Sequence, residues 1–209
     1  MTVAADRNDA IKRGLDVVVA AAGLVVTAPL QLVVAGLVAR KLGRPVFFVQ
    51  PRPGKDAVVF DLVKFRTMLP ADEARGLVTD EDRMTRFGAL LRSTSLDELP
   101  TLWNVLRGDM SLVGPRPLLV RYLDRYSPRQ ARRHEVRPGV TGLAQVSGRN
   151  AISWDDKLEL DVRYVETRSL CGDLAILLAT VRRVVARDGV TAVGSVTTAE
   201  FLGAGRTRS

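Results

Sequence analysis

The sequence predicts an α/β chain, mostly helical with a few short strands, attached to a membrane through an apolar N-terminal helix. Three observations predict this. The first is an uncharged apolar run, Val17 to Val38, flanked by Lys12 and Arg13 before it and Arg40, Lys41 and Arg44 after it. The second is a pair of short Val- and Phe-rich stretches, Val46 to Val49 and Ala57 to Phe60, of strand composition. The third is an amphipathic basic stretch near the C-terminus, Leu170 to Val185.

The apolar run leads. As a straight helix it reaches roughly 33 Å at ~1.5 Å per residue, enough to cross the hydrocarbon core of a bilayer. Pro29 stands inside it; proline removes a backbone donor and clashes with the preceding turn, so a bend or break is expected near Thr27-Ala28. Both flanks are basic, which favours the cytoplasmic side for both ends. A hairpin satisfies both flanks and a straight span only one. Gln31, just past the bend, is placed to satisfy backbone groups that the proline frees. A kinked single-pass anchor accounts for the same residues, and from the residues alone both readings stay open.

The remaining elements follow in order. Residues 1 to 10 are polar and read as loose. The two strand stretches are joined by Pro51-Arg52-Pro53-Gly54-Lys55, a turn composition. Arg83 to Leu91 and Leu96 to Leu106 read as helices, the second stopped by Gly108. Pro115, Pro117, Pro138 and Gly139 interrupt the next stretch. Ser153 reads as the cap of a helix to Val165. The helix from Leu170 carries Leu174, Leu177, Leu178, Val181 and Val185 beside Arg182, Arg183 and Arg187, and suits either a membrane interface or packing on the body. Two domains are expected: a membrane element over residues 1–42 and a catalytic body over 43–209.

Composition limits the function. Among 209 residues, Lys and Arg number 31 against 23 Asp and Glu, a formal net charge of +8. That excess points to a polyanionic partner such as nucleic acid, anionic lipid or a phosphorylated substrate. Aromatic residues are only 5%, too few for base-stacking nucleic-acid recognition. Cys171 and His134 are each the only residue of their type, which excludes an internal disulfide, a Cys/His metal site and a histidine-based triad. His134, in Arg-Arg-His-Glu, reads as a surface residue.

The chemistry gathers around Ser95-Leu96-Asp97-Glu98-Leu99-Pro100. Ser95 with Glu98 three residues on fits a capping box, which by itself accounts for both acids. Their surroundings argue for more: Lys64 and Arg66 upstream, Arg92 just before, Arg116 between Pro115 and Pro117, and Arg149 after Gly148. Guanidinium groups hold phosphate oxygens in pairs of bonds. A carboxylate is a competent nucleophile at phosphorus, and a second carboxylate holds Mg²⁺ against substrate phosphates. The Gly-rich loops Arg137 to Gly142 and Gln145 to Asn150 allow close backbone approach, to a ligand or within a turn.

These segments resemble a known family. Lys64-Phe65-Arg66-Thr67-Met68, Arg92 to Pro100, Asn104 to Pro117, Arg137 to Gly142 and Gln145 to Asn150 are similar, in content and order, to the bacterial sugar transferases, the monotopic phosphoglycosyl transferases. Ala151 to Trp154 and Val196 to Phe201 look most like the branch acting with diacetylbacillosamine phosphate. The resemblance implies transfer of a sugar 1-phosphate from a UDP-sugar to polyprenyl phosphate, with UMP released, at the cytoplasmic face of the bacterial inner membrane. It implies that Asp97 is the nucleophile and that Glu98 binds Mg²⁺. Lys64, Arg66, Arg92, Arg116 and Arg149 would hold phosphates or nucleotide, and Asp161 would be a further polar residue of the site. It favours the re-entrant helix, bent at Pro29, although Ala28 stands where the family often has serine. The implied partners are the UDP-sugar, polyprenyl phosphate, the bilayer and a second copy of the chain, without nucleic acid. The competing classes are a membrane-anchored binder of anionic lipid, which gains little from two acids in a basic site, and a nucleic-acid binder, suggested by charge alone.

Overall fold

The structure, a computed structural model, describes residues 3–148, 152–186 and 200–203. One long helix, α1 (Val3–Lys41), lies along a body of short elements. In the body come β1 (Phe47–Pro53) and β2 (Val59–Phe65), then α2 (Asp80–Arg83), α3 (Arg86–Ser93) and α4 (Thr101–Arg107). They are followed by β3 (Ser111–Val113), α5 (Pro128–Ala131), β4 (Gly139–Thr141), α6 (Leu143–Ser147), α7 (Trp154–Thr167) and α8 (Leu170–Ala186).

α1 is longer than the sequence suggested, and no break interrupts it. Residues 3 to 10 are helical rather than loose, and the helix runs without interruption through Thr27-Ala28 and Pro29. Gln31 does not reach a backbone carbonyl. Its Nε2 donates to Thr27 Oγ1 at 2.9 Å, and that hydroxyl donates to Gly23 O at 2.6 Å. The segment Asn8–Lys41 is long and apolar enough to cross a membrane, and an 18-residue window within it has a mean hydropathy of 2.3.

The body touches α1 on both sides of Pro29. On the N-terminal side, Arg13 donates to Val105 O and Leu106 O, and the Leu112 amide donates to Asp16 Oδ1. Ala20 packs with Leu62, Val105 and Met110. On the C-terminal side, Val34, Val38 and Leu42 form one cluster with Phe65 and Leu91. Between these contacts Gly23, Leu24, Thr27 and Gln31 are half-buried, and the opposite face is bare: Val25 and Val26 are 74% and 78% exposed, and Leu32 and Val33 stand out beside them.

β1 and β2 pair antiparallel from Phe47↔Phe65 to Pro53↔Val59. The first strand therefore continues through Pro51 and Pro53, residues whose composition reads as a turn. A two-stranded sheet has only edges, where a missing N–H costs no ladder bond. The segment Leu96 to Leu106 is likewise not one helix. A 3-10 turn spans Leu96–Glu98, and α4 begins after Pro100. Proline removes a helix-interior hydrogen bond, and Pro100 stands at the N-cap of α4, where that bond is not needed. Gly108 ends α4 in the left-handed region, as expected. β3 and β4 pair in parallel and were not legible in the sequence. α7 begins as expected, with the Ser153 hydroxyl accepting from the Asp156 amide.

α8 packs on the body through one face and leaves an apolar row exposed on another. Ile176 is buried against Val113 and Tyr164, while Leu174, Leu178 and Val181 are exposed.

Candidate functional site

The site is built where β2 meets the start of α4. The Val63 amide donates to Asn104 Oδ1 at 3.1 Å, and the Thr101 hydroxyl donates to Val63 O at 3.2 Å. Asn104 Nδ2 also donates to Asp61 O at 2.7 Å. Three bonds thus fasten α4 to β2, and Asn104 is fully buried among them. They set the register that brings Lys64, on β2, against Glu98, in the turn before α4. Lys64 Nζ donates to Glu98 Oε1 at 2.6 Å.

Arg116 closes the site from the other side. Pro115 and Pro117 are buried and Arg116 is exposed between them. The Gly114 amide donates to Thr141 O, and the Gly139 amide donates to Pro115 O, each at 2.9 Å. The glycines here serve backbone packing: a Cβ on Gly139 would stand 2.1 Å from the Gly114 nitrogen. Held this way, Arg116 Nη2 donates to Glu98 Oε1 at 2.9 Å.

The two adjacent acids are driven in opposite directions. Burial alone would raise the Glu98 carboxyl, but Lys64 and Arg116 overcome it and hold Glu98 well below the usual carboxylate range. Asp97 is 9% exposed. Burial pushes it up, ionised Glu98 pushes it further, and Lys64, Arg116 and Arg92 only partly compensate, so it titrates at about 6. Lys64 is itself lowered by burial, partly offset by Glu98. The Ser95-Glu98 capping box does not form. Ser95 has φ 55° and makes no side-chain cap, so Glu98 is free of a helix-capping duty. A serine in the left-handed region carries strain, which fixes the turn that presents both acids.

Lys64, Arg92, Asp97, Glu98 and Arg116 are therefore brought together. Arg92 ends α3, where its Nε donates to Thr67 Oγ1 at 3.1 Å, and its charge acts on Asp97. Two predicted residues turn elsewhere. Arg66 donates to Leu42 O, Gly43 O and Arg44 O, which satisfies the carbonyls at the end of α1. Asp161 is buried on α7 and accepts from Arg133 Nε and Nη2 at 3.1 and 2.6 Å. Arg133 in turn donates to Arg116 O at 2.6 Å, so Asp161 bears on the site through Arg133 and the Arg116 backbone. Arg149 lies outside the described residues, as do Asn150 and Ala151 and the segment Val196 to Ala199. His134 is not on the surface. It is buried with Nδ1 at 3.2 Å from Gly54 O, and burial beside Arg133 lowers it to about 4.

Residues 7–187 match the bacterial sugar transferase family. The chain belongs to that family. A Bacillus subtilis (strain 168) protein named uncharacterized sugar transferase EpsL is 50% identical over 196 residues, covering 93% of this chain and 97% of that protein. The UDP-glucose:undecaprenyl-phosphate glucose-1-phosphate transferase of Caulobacter vibrioides is 41% identical over 191 residues, 86% of this chain and 72% of that one. An Aeromonas hydrophila UDP-N-acetylgalactosamine-undecaprenyl-phosphate N-acetylgalactosaminephosphotransferase is 40% identical, over 86% of this chain but 44% of its own length. The chain thus spans nearly all of the Bacillus relative and less than half of several others. The sugars in these names differ, and none is diacetylbacillosamine.

Sequence reasoning passed over the residues that carry this family member's supporting framework. Arg133 was not singled out, and Asn104 and Thr101 read as ordinary helix positions. Arg52 was assigned to a turn. It lines the same cleft as Lys64, Glu98 and Arg116, a space of about 430 Å³ open to solvent.

Proposed function

We propose that this bacterial sugar transferase moves a sugar 1-phosphate from a UDP-sugar to polyprenyl phosphate through a covalent intermediate on Asp97. The observation that carries the reading is the pairing of a buried, weakly acidic Asp97 with a clamped, always ionised Glu98 in a cationic cleft. The relatives named as undecaprenyl-phosphate sugar-phosphate transferases support the same reaction.

In the first step an Asp97 carboxylate oxygen attacks the phosphorus that bears the sugar. The bond from that phosphorus to the bridging oxygen breaks, and the bridging oxygen leaves on UMP with the electron pair. In the second step an oxygen of the polyprenyl phosphate attacks the same phosphorus, and the Asp97 oxygen leaves. The product is a polyprenyl diphosphate sugar, and the carboxylate is regenerated. Lys64, Arg92 and Arg116 offset the charge of the phosphates and steady the transition state. Burial strips water from Asp97, which strengthens it as a nucleophile once it is ionised.

The donor set suits Mg²⁺. Both cations bond Glu98 through Oε1, which leaves Oε2 for a metal. Among the described residues there is no cluster of three acids for an all-protein cage. Mg²⁺ is commonly held by one or two carboxylates together with substrate phosphates and water. Bound there, it would neutralise charge on the donor diphosphate.

We further infer that α1 enters the cytoplasmic face of the inner membrane and returns, bent about Pro29. Contacts to the body from Arg13 to Ala20 and again from Val34 to Leu42 support this. A helix crossing the bilayer would draw one set of contacts, and the charged body with it, into hydrocarbon. The exposed Leu174, Leu178 and Val181 of α8 suit the same interface.

The test is release of UMP from a panel of UDP-sugars with polyprenyl phosphate present, which also names the sugar. Labelled donor without acceptor should leave a phosphosugar adduct on Asp97. Activity without any adduct in Asp97→Asn and wild-type protein alike would sink the covalent route.

A further inference from the structure

Arg52 stands near the end of β1, opposite Phe60 in the register that also carries Lys64 on β2. It lines the cleft that holds Lys64, Glu98 and Arg116, so three cations face one acid there. Lys64 and Arg116 are both engaged by Glu98. No acid partners Arg52 among the described residues. Its Nη2 donates to Gln50 Oε1 at 2.6 Å, and its Nε is buried with no hydrogen-bond partner. Burial first, and then Arg116, lower it to about 10. A buried guanidinium donor left unpaired beside another cation is costly, and a bound dianion would remove the cost.

The position of Arg52 tells which anion. The charged neighbours of Asp97 are Glu98, Lys64, Arg116 and Arg92. The neighbours of Arg52 are the charged Arg116 and the neutral phenols of Tyr122 and Tyr126. Arg116 is the shared member, and it lines one cleft with Arg52. A diphosphate lying with one phosphorus at Asp97 would therefore set its other phosphate between Arg116 and Arg52. We propose that Arg52 is a phosphate-binding residue which, with Arg116, holds the nucleotide-side phosphate of the donor, the group that departs as the nucleoside monophosphate. This rests on the reaction proposed above. As the bond to the bridging oxygen breaks, negative charge grows on that phosphate, and a rigid guanidinium fork on a strand is well placed to receive it.

The test uses the full-length protein in lipid nanodiscs, with UMP and inorganic pyrophosphate as probes. Arg52→Gln should weaken binding of both at least tenfold, and should raise the inhibition constant of UMP to match. Arg52→Lys, which keeps the charge and loses the fork, should fall between. The ligand-free melting temperature of Arg52→Gln should equal or exceed that of wild type, because a repelling charge is removed; a merely structural arginine would lower it. UMP and pyrophosphate affinities within twofold of wild type in Arg52→Gln would overturn the proposal. Should Arg52→Gln fail to fold, unchanged affinity in Arg52→Lys would overturn it instead. Failure of the wild-type chain to release UMP from any UDP-sugar would count against the reaction, and the pyrophosphate measurement would still decide the role of Arg52.

Discussion

At the residue scale, two carboxylates adjacent in the chain are given different work by their surroundings. Glu98 meets two cations and stays ionised; Asp97 loses water and titrates at about 6, against 3.8 for an ordinary aspartate. The fold therefore prefers Asp97 protonated. Its contribution to stability is full below about pH 4 and is lost as pH rises through about 6. Asp97→Asn, always neutral, should be more stable than wild type at pH 7.5, by up to about 3 kcal/mol from a shift of about two units, and equal to it near pH 4. Its turnover should fall by orders of magnitude at both. Wild-type activity should rise with pH to a plateau above about 6, since only the carboxylate attacks; an activity that is flat from pH 5 to 8 would contradict the assignment. For Glu98, chelation should abolish activity and Mg²⁺ restore it, and Glu98→Gln should lose most activity while remaining folded. Persistence of activity in chelator defeats the metal assignment. The dyad, Lys64 and Arg116 were legible because their chemistry lies in residue type and in the flanking prolines. Arg66 was grouped with Lys64 because both stand in one basic motif, but β2 ends at Phe65 and Arg66 turns to the carbonyls of Leu42, Gly43 and Arg44. Asp161 was misplaced because its partner, Arg133, comes from 28 residues away and no local pattern marks it.

At the element scale, the site depends on how closely short pieces approach. α3 lies against the strand end so tightly that a Cβ on Gly88 would stand 1.8 Å from Thr67 O. An Ala in place of Gly inside a helix ordinarily gains about 1 kcal/mol. Here the sign should reverse, because backbone must move to admit the methyl group. Gly88→Ala should cost about 1–3 kcal/mol, as overpacking does, and should displace Arg92 with it, lowering activity further. Gly36→Ala, where nothing stands within 4 Å, is the control and should show neither effect. Equal melting temperatures and rates for the two variants would contradict the packing argument. The longer elements α7 and α8 were readable from caps and periodicity. β3 and β4, three residues each, were not, because a parallel pair that short has no period to detect. The left-handed Ser95 was also hidden, since serine is an ordinary capping residue and only the Pro100 that follows forbids the helix it would cap.

At the scale of the whole molecule, the proposed topology asks what would keep α1 on one side of the membrane. Its apolar length was plain in the sequence, and its contacts with the body were not. Pro29 was the sequence's answer, yet α1 stays helical through it. The body offers a second answer. To span, the N-terminal half of α1 must give up the two bonds from Arg13, the Leu112 bond to Asp16 and the Lys12–Asp173 ion pair at 2.6 Å. Hydrogen bonds to charged groups contribute about 1.5–3 kcal/mol each. Replacing a proline inside a helix returns about 3 kcal/mol. The contacts outweigh the proline. Single cysteines at Asn8 and at Glu73, with the exposed Cys171 changed to Ser, report the topology in intact cells treated with an impermeant thiol reagent. Both positions should stay protected until lysis in the parent protein and also in Pro29→Leu. Adding Arg13→Ala and Asp16→Ala to Pro29→Leu should expose position 8 while position 73 stays protected. Labelling at position 8 in the parent means that α1 spans. Labelling there in Pro29→Leu alone means that the proline, and not the grip of the body, sets the topology.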